Sequence, residues 1–174
     1  MAAARTPVGL RRRASRTELA VLGVLAVLVV AAAVTSLVLA PKVSAAQSRT
    51  DRDQAVLHAA RQETVDFTTL DYRSLDRDLG RVLAGSTGSF KQEFQAGSKD
   101  LRSVVTANQT VSQGSVLSAG IVSSDADSAR VLVVADSTVT NTKDTKGTPR
   151  HYRLQLDLVR QGDRWLTSDL QFVG

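Results

Sequence analysis

The side chains best suited to chemistry lie between Leu70 and Phe90, in the stretch LDYRSLDRDLGRVLAGSTGSF. The stretch combines three aspartates, three arginines and one tyrosine with a run of small residues at Gly85–Ser89. Two kinds of chemistry use such residues: phosphate binding by a glycine-rich loop, and acid–base or metal chemistry by paired carboxylates. Each kind requires its own spacing of residues.

The glycine-rich run does not fit a phosphate-binding loop. A P-loop needs two glycines five residues apart, then lysine and serine or threonine, all following a strand. Gly80 and Gly85 have this spacing, but Ser86 stands where the lysine must be, and the preceding residues are helical in pattern. We therefore interpret Gly85 as the left-handed residue that ends one helix, and Ser89 with Gln92 as the capping box of the next.

The charged residues fit a scaffold better than a reactive site. Asp76 and Asp78 are two positions apart on a predicted helix, so their side chains point about 200° from each other and cannot share one metal ion. Arg73, Arg77 and Arg81 recur every fourth residue and form a charged ridge. We predict no catalytic, cofactor-binding or metal-binding residue here, and we treat the ridge of Arg73, Arg77 and Arg81 as a candidate docking surface.

The rest of the chain adds no reactive motif. It has no cysteine, which excludes disulfides and thiolate metal sites. His58 and His151 lie far apart, and neither belongs to a metal-ligand spacing. Trp165 is expected in the core, and Asp157 is expected on the outer face of its strand. We therefore expect a protein that is not an enzyme and has no cofactor.

Hydrophobic periodicity predicts three helices followed by four strands. The helices are expected at residues 44–70, at Ser74–Ala84 and from Ser89 onward. The strands are expected at Val111–Val122, Ala129–Thr140, His151–Arg160 and Trp165–Val173. Helices first and strands after them indicate an α+β domain, in which the helices cover one face of a curved, mainly antiparallel four-stranded sheet.

A membrane anchor is predicted at residues 19–40. This segment has 22 residues, no charge and two polar side chains, which is long and apolar enough for one transmembrane helix. Five arginines precede it, so the positive-inside rule places the N-terminus in the cytoplasm. A cleaved signal peptide is the alternative, because Val43–Ala45 resembles a cleavage site, but the apolar run is longer than a signal sequence needs.

These predictions divide the chain into four segments. They are a basic cytoplasmic tail at 1–18, the plasma-membrane helix at 19–40, an extracytoplasmic stalk and first helix at 41–70, and an ectodomain at 71–174. The net charge of +5 comes from the tail, since residues beyond 41 carry 17 basic and 16 acidic side chains. A nucleic-acid-binding domain carries its basic patch on the folded part. We therefore expect no nucleic-acid partner.

Two motifs resemble those of the actinobacterial Mce-associated membrane proteins (Mce for mammalian cell entry). The first reads Asp71-Tyr72, Leu75-Asp76-x-Asp78-Leu79, Arg81-Val82-Leu83 and Thr87-Gly88-x-Phe90. The second reads Arg164-Trp165-Leu166-x-Ser168-Asp169-Leu170. The resemblance covers about residues 50–174. It implies a cone-shaped fold like that of nuclear transport factor 2, no catalytic residues, and an accessory role beside Mce-type transporters of lipids and sterols.

Three functions remain open from the sequence. The first is a membrane-anchored module that docks onto Mce-type transporter subunits or other envelope proteins. The second is a small-molecule or lipid-binding protein or an isomerase-like protein, since cone folds often hold an apolar pocket. An open cavity with an inward aspartate or Tyr152 favours this second function, and a cone filled by Trp165, Tyr152 and leucines opposes it. The third is a scaffold component like those of type IV secretion systems.

Overall fold

The computed structural model describes residues 47–174, so the predicted tail at 1–18 and membrane helix at 19–40 lie outside the described part. Residues Ser48–Gly174 form one compact unit. That unit includes the first helix, which the sequence analysis grouped with a stalk. Within residues 47–174, no helix combines the length and the hydropathy that crossing a membrane requires.

The first helix, α1, covers residues 47–68 and agrees closely with its prediction. Its buried side repeats at Val56, Ala60, Thr64 and Thr68, because positions four apart share one side of an α-helix. The Thr64 hydroxyl donates to the Ala60 carbonyl (2.8 Å), and the Thr68 hydroxyl donates to the Thr64 carbonyl (2.7 Å). The buried threonines are therefore satisfied within the helix and pack as small apolar groups would.

Two more helices follow, α2 at Leu75–Gly85 and α3 at Gly88–Ala107. The apolar stripe of α2 is buried, and Leu75 and Leu79 pack against Val105 of α3 in a second, smaller apolar cluster. The helical periodicity of this part of the sequence is thus confirmed.

Five antiparallel strands form a single sheet in chain order. They are β1 (Leu70–Asp71), β2 (Val111–Ser124), β3 (Ser128–Thr140), β4 (Thr148–Gln161) and β5 (Arg164–Phe172). The expected number of four strands is wrong by one, because the short β1 pairs with the first residues of β2. Two residues cannot show the alternation by which a strand is recognised in sequence. The α+β class, with helices before strands, is confirmed.

The core lies between the sheet and α1. Alternate residues of β3 and β4 are at most 1% exposed at Val131, Val133, Leu154, Leu156 and Leu158. They pack with Val56 and Ala60 of α1 and with Trp165 of β5. The predicted core position of Trp165 is confirmed. The inner face of the sheet is therefore filled by aliphatic side chains and one indole.

The outer strand β2 is irregular in two places. Its register with β3 shifts between Val116 and Ser118 and again between Ile121 and Ser123. Leu117 and Val122 are the residues left without a partner, and they are 62% and 58% exposed. Bulges of this kind bend a strand and increase its twist, so they curve the sheet along this edge.

The connection between α2 and α3 differs from its prediction. Gly85 is the last residue of α2 and has no left-handed backbone, whereas Gly88 does, with φ +56°. Ser89 lies within α3, and its hydroxyl donates to the Ser168 carbonyl (3.1 Å), so the predicted capping box is wrong. The Thr87 N–H donates to the Thr167 carbonyl (2.8 Å). Contacts to β5, which is distant in sequence, set the geometry of this connection.

Candidate functional site

A cleft of about 640 Å³ opens between α1, α2 and the start of β5. Its apolar lining consists of small alanines and Trp165. Its polar lining includes Glu63 and Asp66 of α1 and Arg81 of α2. The cleft therefore joins an apolar surface to titratable side chains, which is the composition of many ligand sites.

Glu63 is the residue of this cleft with the most unusual environment. It is 3% exposed, and among residues 47–174 its Oε1 atom has no hydrogen-bond partner. Burial, together with the nearby charge of Asp66, raises the pKa of Glu63 from 4.5 to about 8. The carboxyl group therefore holds a proton at neutral pH. An unpaired buried polar group costs about 1–3 kcal/mol of stability, so its presence calls for a reason.

Gly85 makes room for this carboxyl group. A Cβ at residue 85 would overlap Glu63 Oε2 and lie 3.0 Å from Glu63 Cδ. The glycine is therefore required by close packing against Glu63, and the sequence interpretation of Gly85 as a left-handed helix stop is corrected. Close approach of another group is the second common reason for glycine in a helix.

Arg81 holds two buried aspartates together on one side of the cleft. Its Nε donates to Asp66 Oδ1 (2.9 Å), and its Nη1 donates to Asp78 Oδ1 (2.9 Å). Asp66 is 8% and Asp78 is 2% exposed, and the two carboxylates raise the pKa of the guanidinium. Arg81 thereby connects α1 to α2.

Asp78 also fixes the segment that leads into α2. It accepts a hydrogen bond from the Asp71 backbone N–H (2.9 Å) and another from the Ser74 hydroxyl (3.1 Å). Together with Arg81 these donors satisfy a carboxylate that is almost fully buried. Asp78 therefore has a structural role, which the spacing of charged residues in the sequence did not indicate.

The three arginines of the predicted ridge have different environments. Arg73 pairs with Asp71 (2.6 Å), and Arg77 lies 3.6 Å from Asp78, with 67% and 73% of their side chains exposed. Arg81 is the least exposed of the three, at 36%, and is engaged by Asp66 and Asp78. Arg73 and Arg77 present their charge to solvent. The ridge as a docking surface stays a prediction, and Arg81 has in addition a role within the fold.

The divergence of the two α2 aspartates is confirmed. The Asp76 side chain is 83% exposed and pairs with Arg102, whereas Asp78 points into the protein. In the described part of the chain, no group of three or more histidine, aspartate or glutamate side chains is placed to hold a metal ion.

The remaining residues named from the sequence lie apart from one another. His58 lines the cleft, whereas His151 lies on β4 with its Nδ1 2.8 Å from Asp136 Oδ1. Asp157 is on the outer face of β4, as predicted, and accepts two hydrogen bonds from Arg130 (2.6 and 2.8 Å). Tyr152 lies on the inner face, with its hydroxyl 3.2 Å from the Ser137 hydroxyl.

Glu63 and Asp66 were not among the residues singled out from the sequence. A signal for Glu63 was present, since it lies seven residues after Val56 and three after Ala60. Those spacings place it on the buried side of the helix. A charged residue on the buried side of a helix indicates a buried ion pair or a functional site.

Comparison with known structures defines the class of fold. The domain is an α+β domain of the kind found in the periplasmic domains of type IV secretion proteins. The periplasmic domain of DotI has a TM-score of 0.59 and 16% identity, over 70% of this chain and 94% of that one. An IcmL-like type IV secretion protein from Legionella pneumophila has a TM-score of 0.56 and 11% identity, over 67% and 88% of the two chains.

A third structure has the same fold. CagV from Helicobacter pylori, a VirB8 homologue, has a TM-score of 0.54 and 10% identity, over 69% of this chain and 97% of that one. At these identities the likeness shows a shared fold.

The chain belongs to the family described as "Uncharacterized protein Rv1363c/MT1408-like", whose model matches residues 17–174. A relative in Mycobacterium tuberculosis, Rv1363c, is 34% identical over 128 residues, which are 74% of this chain and 49% of the relative. The chain thus spans about half the length of this relative.

Proposed function

We propose that the protein is a non-catalytic, membrane-anchored accessory component of an Mce-type lipid or sterol import system. In this proposal residues 19–40 anchor it in the plasma membrane, and the domain at 48–174 faces the extracytoplasmic side and docks onto transporter subunits. The predicted anchor, the sequence resemblance to Mce-associated proteins and a fold shared with periplasmic domains support the proposal.

The observation that carries the docking role is the edge of the sheet at β2. This strand has 14 residues and contains no charged residue and no proline. Among residues 47–174, β1 pairs with it only at Val111 and Ser112 on the side away from β3. Soluble proteins usually protect such edges with charges or prolines, because an unpaired edge recruits other strands.

The two bulges supply apolar anchors along this edge. Leu117 and Val122 are the unpaired residues and are mostly exposed. The ends of β2 are engaged by the first helix and the residue after it, since the Gly114 N–H donates to the Thr69 hydroxyl and the Ser124 hydroxyl donates to Asp53. The stretch between them is uncharged and carries two exposed apolar side chains, which suits a partner strand that adds to the sheet, with main-chain hydrogen bonds giving affinity and apolar contacts giving specificity. We therefore assign β2 as the main docking surface and the exposed Arg73 and Arg77 as a second contact.

The filled interior supports docking over ligand transport within the cone. Trp165 and the leucines of β4 occupy the space between sheet and helices, where a lipid-carrying cone fold would have its cavity. The cleft at Glu63 lies beside this core and shares Trp165 with it.

Affinity purification of the full chain from its own membranes in mild detergent tests the proposal. Recovery of Mce-type transporter subunits, together with reduced lipid import on deletion of the gene, is the expected result. Absence of these subunits combined with unchanged lipid import would contradict it.

A scaffold role in a secretion-type assembly is the second candidate, because the domain shares its fold with periplasmic domains of type IV secretion proteins. The same purification separates the two candidates by the subunits that it recovers. Neighbouring genes provide an independent criterion: transporter genes favour the first candidate, and secretion genes favour the second.

A further inference from the structure

The cleft between α1 and α2 is lined by a buried carboxyl group, one oxygen of which has no hydrogen-bond partner in the described part of the chain. Glu63 lines the cleft, is only 3% exposed, and has an unpaired Oε1 atom. We propose that this cleft binds an organic cation, an ammonium or guanidinium group on a short alkyl chain, with Glu63 as its carboxylate partner. This inference is independent of the proposed docking role.

The packing around Glu63 favours a site over an accident of folding. Gly85 has no side chain, and this leaves the space that the Glu63 carboxyl group occupies. The sequence of α2 therefore accommodates an acid whose Oε1 atom makes no hydrogen bond within the described part of the chain. Buried polar groups without partners are rare in proteins, and a buried group in a cleft with a strongly raised pKa is a candidate for a functional site.

The arginines of α2 leave one buried acid of this cleft without an ion pair. The acids on the α1–α2 side are Glu63, Asp66 and Asp78, and the partly exposed Arg81 joins the last two. Arg77 reaches Asp78 from solvent at 3.6 Å. Glu63 is therefore the carboxyl group that these arginines leave without an ion pair. A bound ammonium or guanidinium group would form an ion pair with Glu63 through a charge-assisted hydrogen bond.

The apolar lining selects an alkyl chain on that cation. Ala55, Ala59 and Ala84 line the cleft together with Trp165. Small side chains admit a narrow methylene chain, and an indole face attracts a cation that approaches it. The rim carries His58, Asp163 and Arg164, and the Arg164 guanidinium is engaged with the Ala84 carbonyl (2.7 Å).

Trp165 provides the readout, because it is the single tryptophan of the chain and lines the cleft. The full chain in nonionic detergent is titrated with n-butylammonium, butanol or butyrate while Trp165 emission is recorded. We expect saturable change with n-butylammonium and affinity at least about tenfold weaker for butanol and butyrate. Equal binding of butanol, or no saturable change with any cation, would overturn the proposal.

Two further ligands distinguish the sources of the cation. Agmatine represents a free amine, and N-acetyl-lysine amide represents a side chain presented by a protein. Saturable binding of either supports the site, and their relative affinities tell which source fits the cleft.

The pH dependence tests the role of Glu63 itself. Cation binding requires the ionised carboxylate, and burial raises the pKa of Glu63 to about 8, so affinity should rise by up to about tenfold per pH unit between pH 6 and pH 8. Glu63→Gln should weaken binding and abolish this rise. Glu93→Gln, which changes an exposed acid on α3 away from the cleft, is the control and should leave the rise unchanged. A pH rise that survives Glu63→Gln would contradict the proposal.

Discussion

The Glu63 carboxyl group on α1 occupies the space that a side chain at residue 85 of α2 would need. In this contact the Glu63 carboxyl group of α1 packs directly against the backbone of Gly85 in α2. It also forms one wall of the cleft and explains why the last residue of α2 is glycine.

Gly85→Ala should destabilise the domain by about 1–3 kcal/mol, because the new methyl group displaces a buried carboxyl group. Gly80→Ala is the matched control in the same helix, since no atom lies within 4 Å of a Cβ at that position. It should gain about 0.5–1 kcal/mol from helix propensity. Chemical denaturation of the full chain in mild detergent measures both.

A double-mutant cycle assigns the cost to the contact itself. In a Glu63→Ala background the methyl group of Gly85→Ala meets no carboxyl group, so most of its cost should disappear. An unchanged cost in that background would mean that the Glu63–Gly85 contact is not the cause.

Stability should fall as the pH rises from 4.5 to 8. Folded Glu63 keeps a proton in this window because its pKa is raised to about 8, whereas the unfolded chain releases the proton above 4.5. Folding therefore takes up a proton, and this group lowers the free energy of unfolding by up to about 1.4 kcal/mol per pH unit. Glu63→Gln should remove that part of the slope.

The control for this measurement is Glu93→Gln, which changes an exposed acid on α3. It should leave the slope unchanged. If Glu63→Gln and the wild type have the same slope between pH 5 and pH 8, the carboxyl group of Glu63 is not protonated in the folded protein.

Arg81→Met should cost about 2–3 kcal/mol, a value that allows for the partial exposure of the arginine. The substitution leaves Asp66 and Asp78 buried without their shared guanidinium. Arg77→Met is the matched control on the same helix and should change stability by no more than about 0.5 kcal/mol, because its side chain is 73% exposed. Thermal or denaturant unfolding measures the difference, and equal effects of the two substitutions would refute the structural role of Arg81.

This difference also changes how the arginine ridge is tested. Charge reversal at Arg81 would disturb the fold, so loss of partner binding would have two explanations. Reversal at Arg73 and Arg77 alone changes exposed charge and should weaken binding without unfolding the domain. Unchanged partner recovery with both reversed would mean that the ridge is not a docking surface.

The elements that could be predicted are those whose signal lies within one segment. Leu154, Leu156 and Leu158 alternate along β4, and Leu75 and Leu79 share one face of α2, so local periodicity is enough to predict the strand and the helix that contain them. Trp165 is expected in the core from the sequence, and it lies there.

The features that were missed depend on contacts between segments distant in the sequence. β1 exists because Leu70 and Asp71 meet the start of β2. Ser89 bonds to Ser168 of β5, so it has no role as a cap. The candidate cleft was missed for the same reason, since no local pattern shows that Glu63 faces Gly85 and that Arg81 reaches Asp66.

The central claim, that β2 docks the domain onto an envelope transporter, is tested most directly by photo-crosslinking in intact cells. A photoreactive amino acid replaces Leu117 at the exposed bulge of β2, and Lys99 on the exposed side of α3 is the matched control position. The account predicts a covalent adduct with an Mce-type transporter subunit from position 117 and none from position 99. No transporter adduct from position 117, in cells where the protein is present at its normal level, would contradict it.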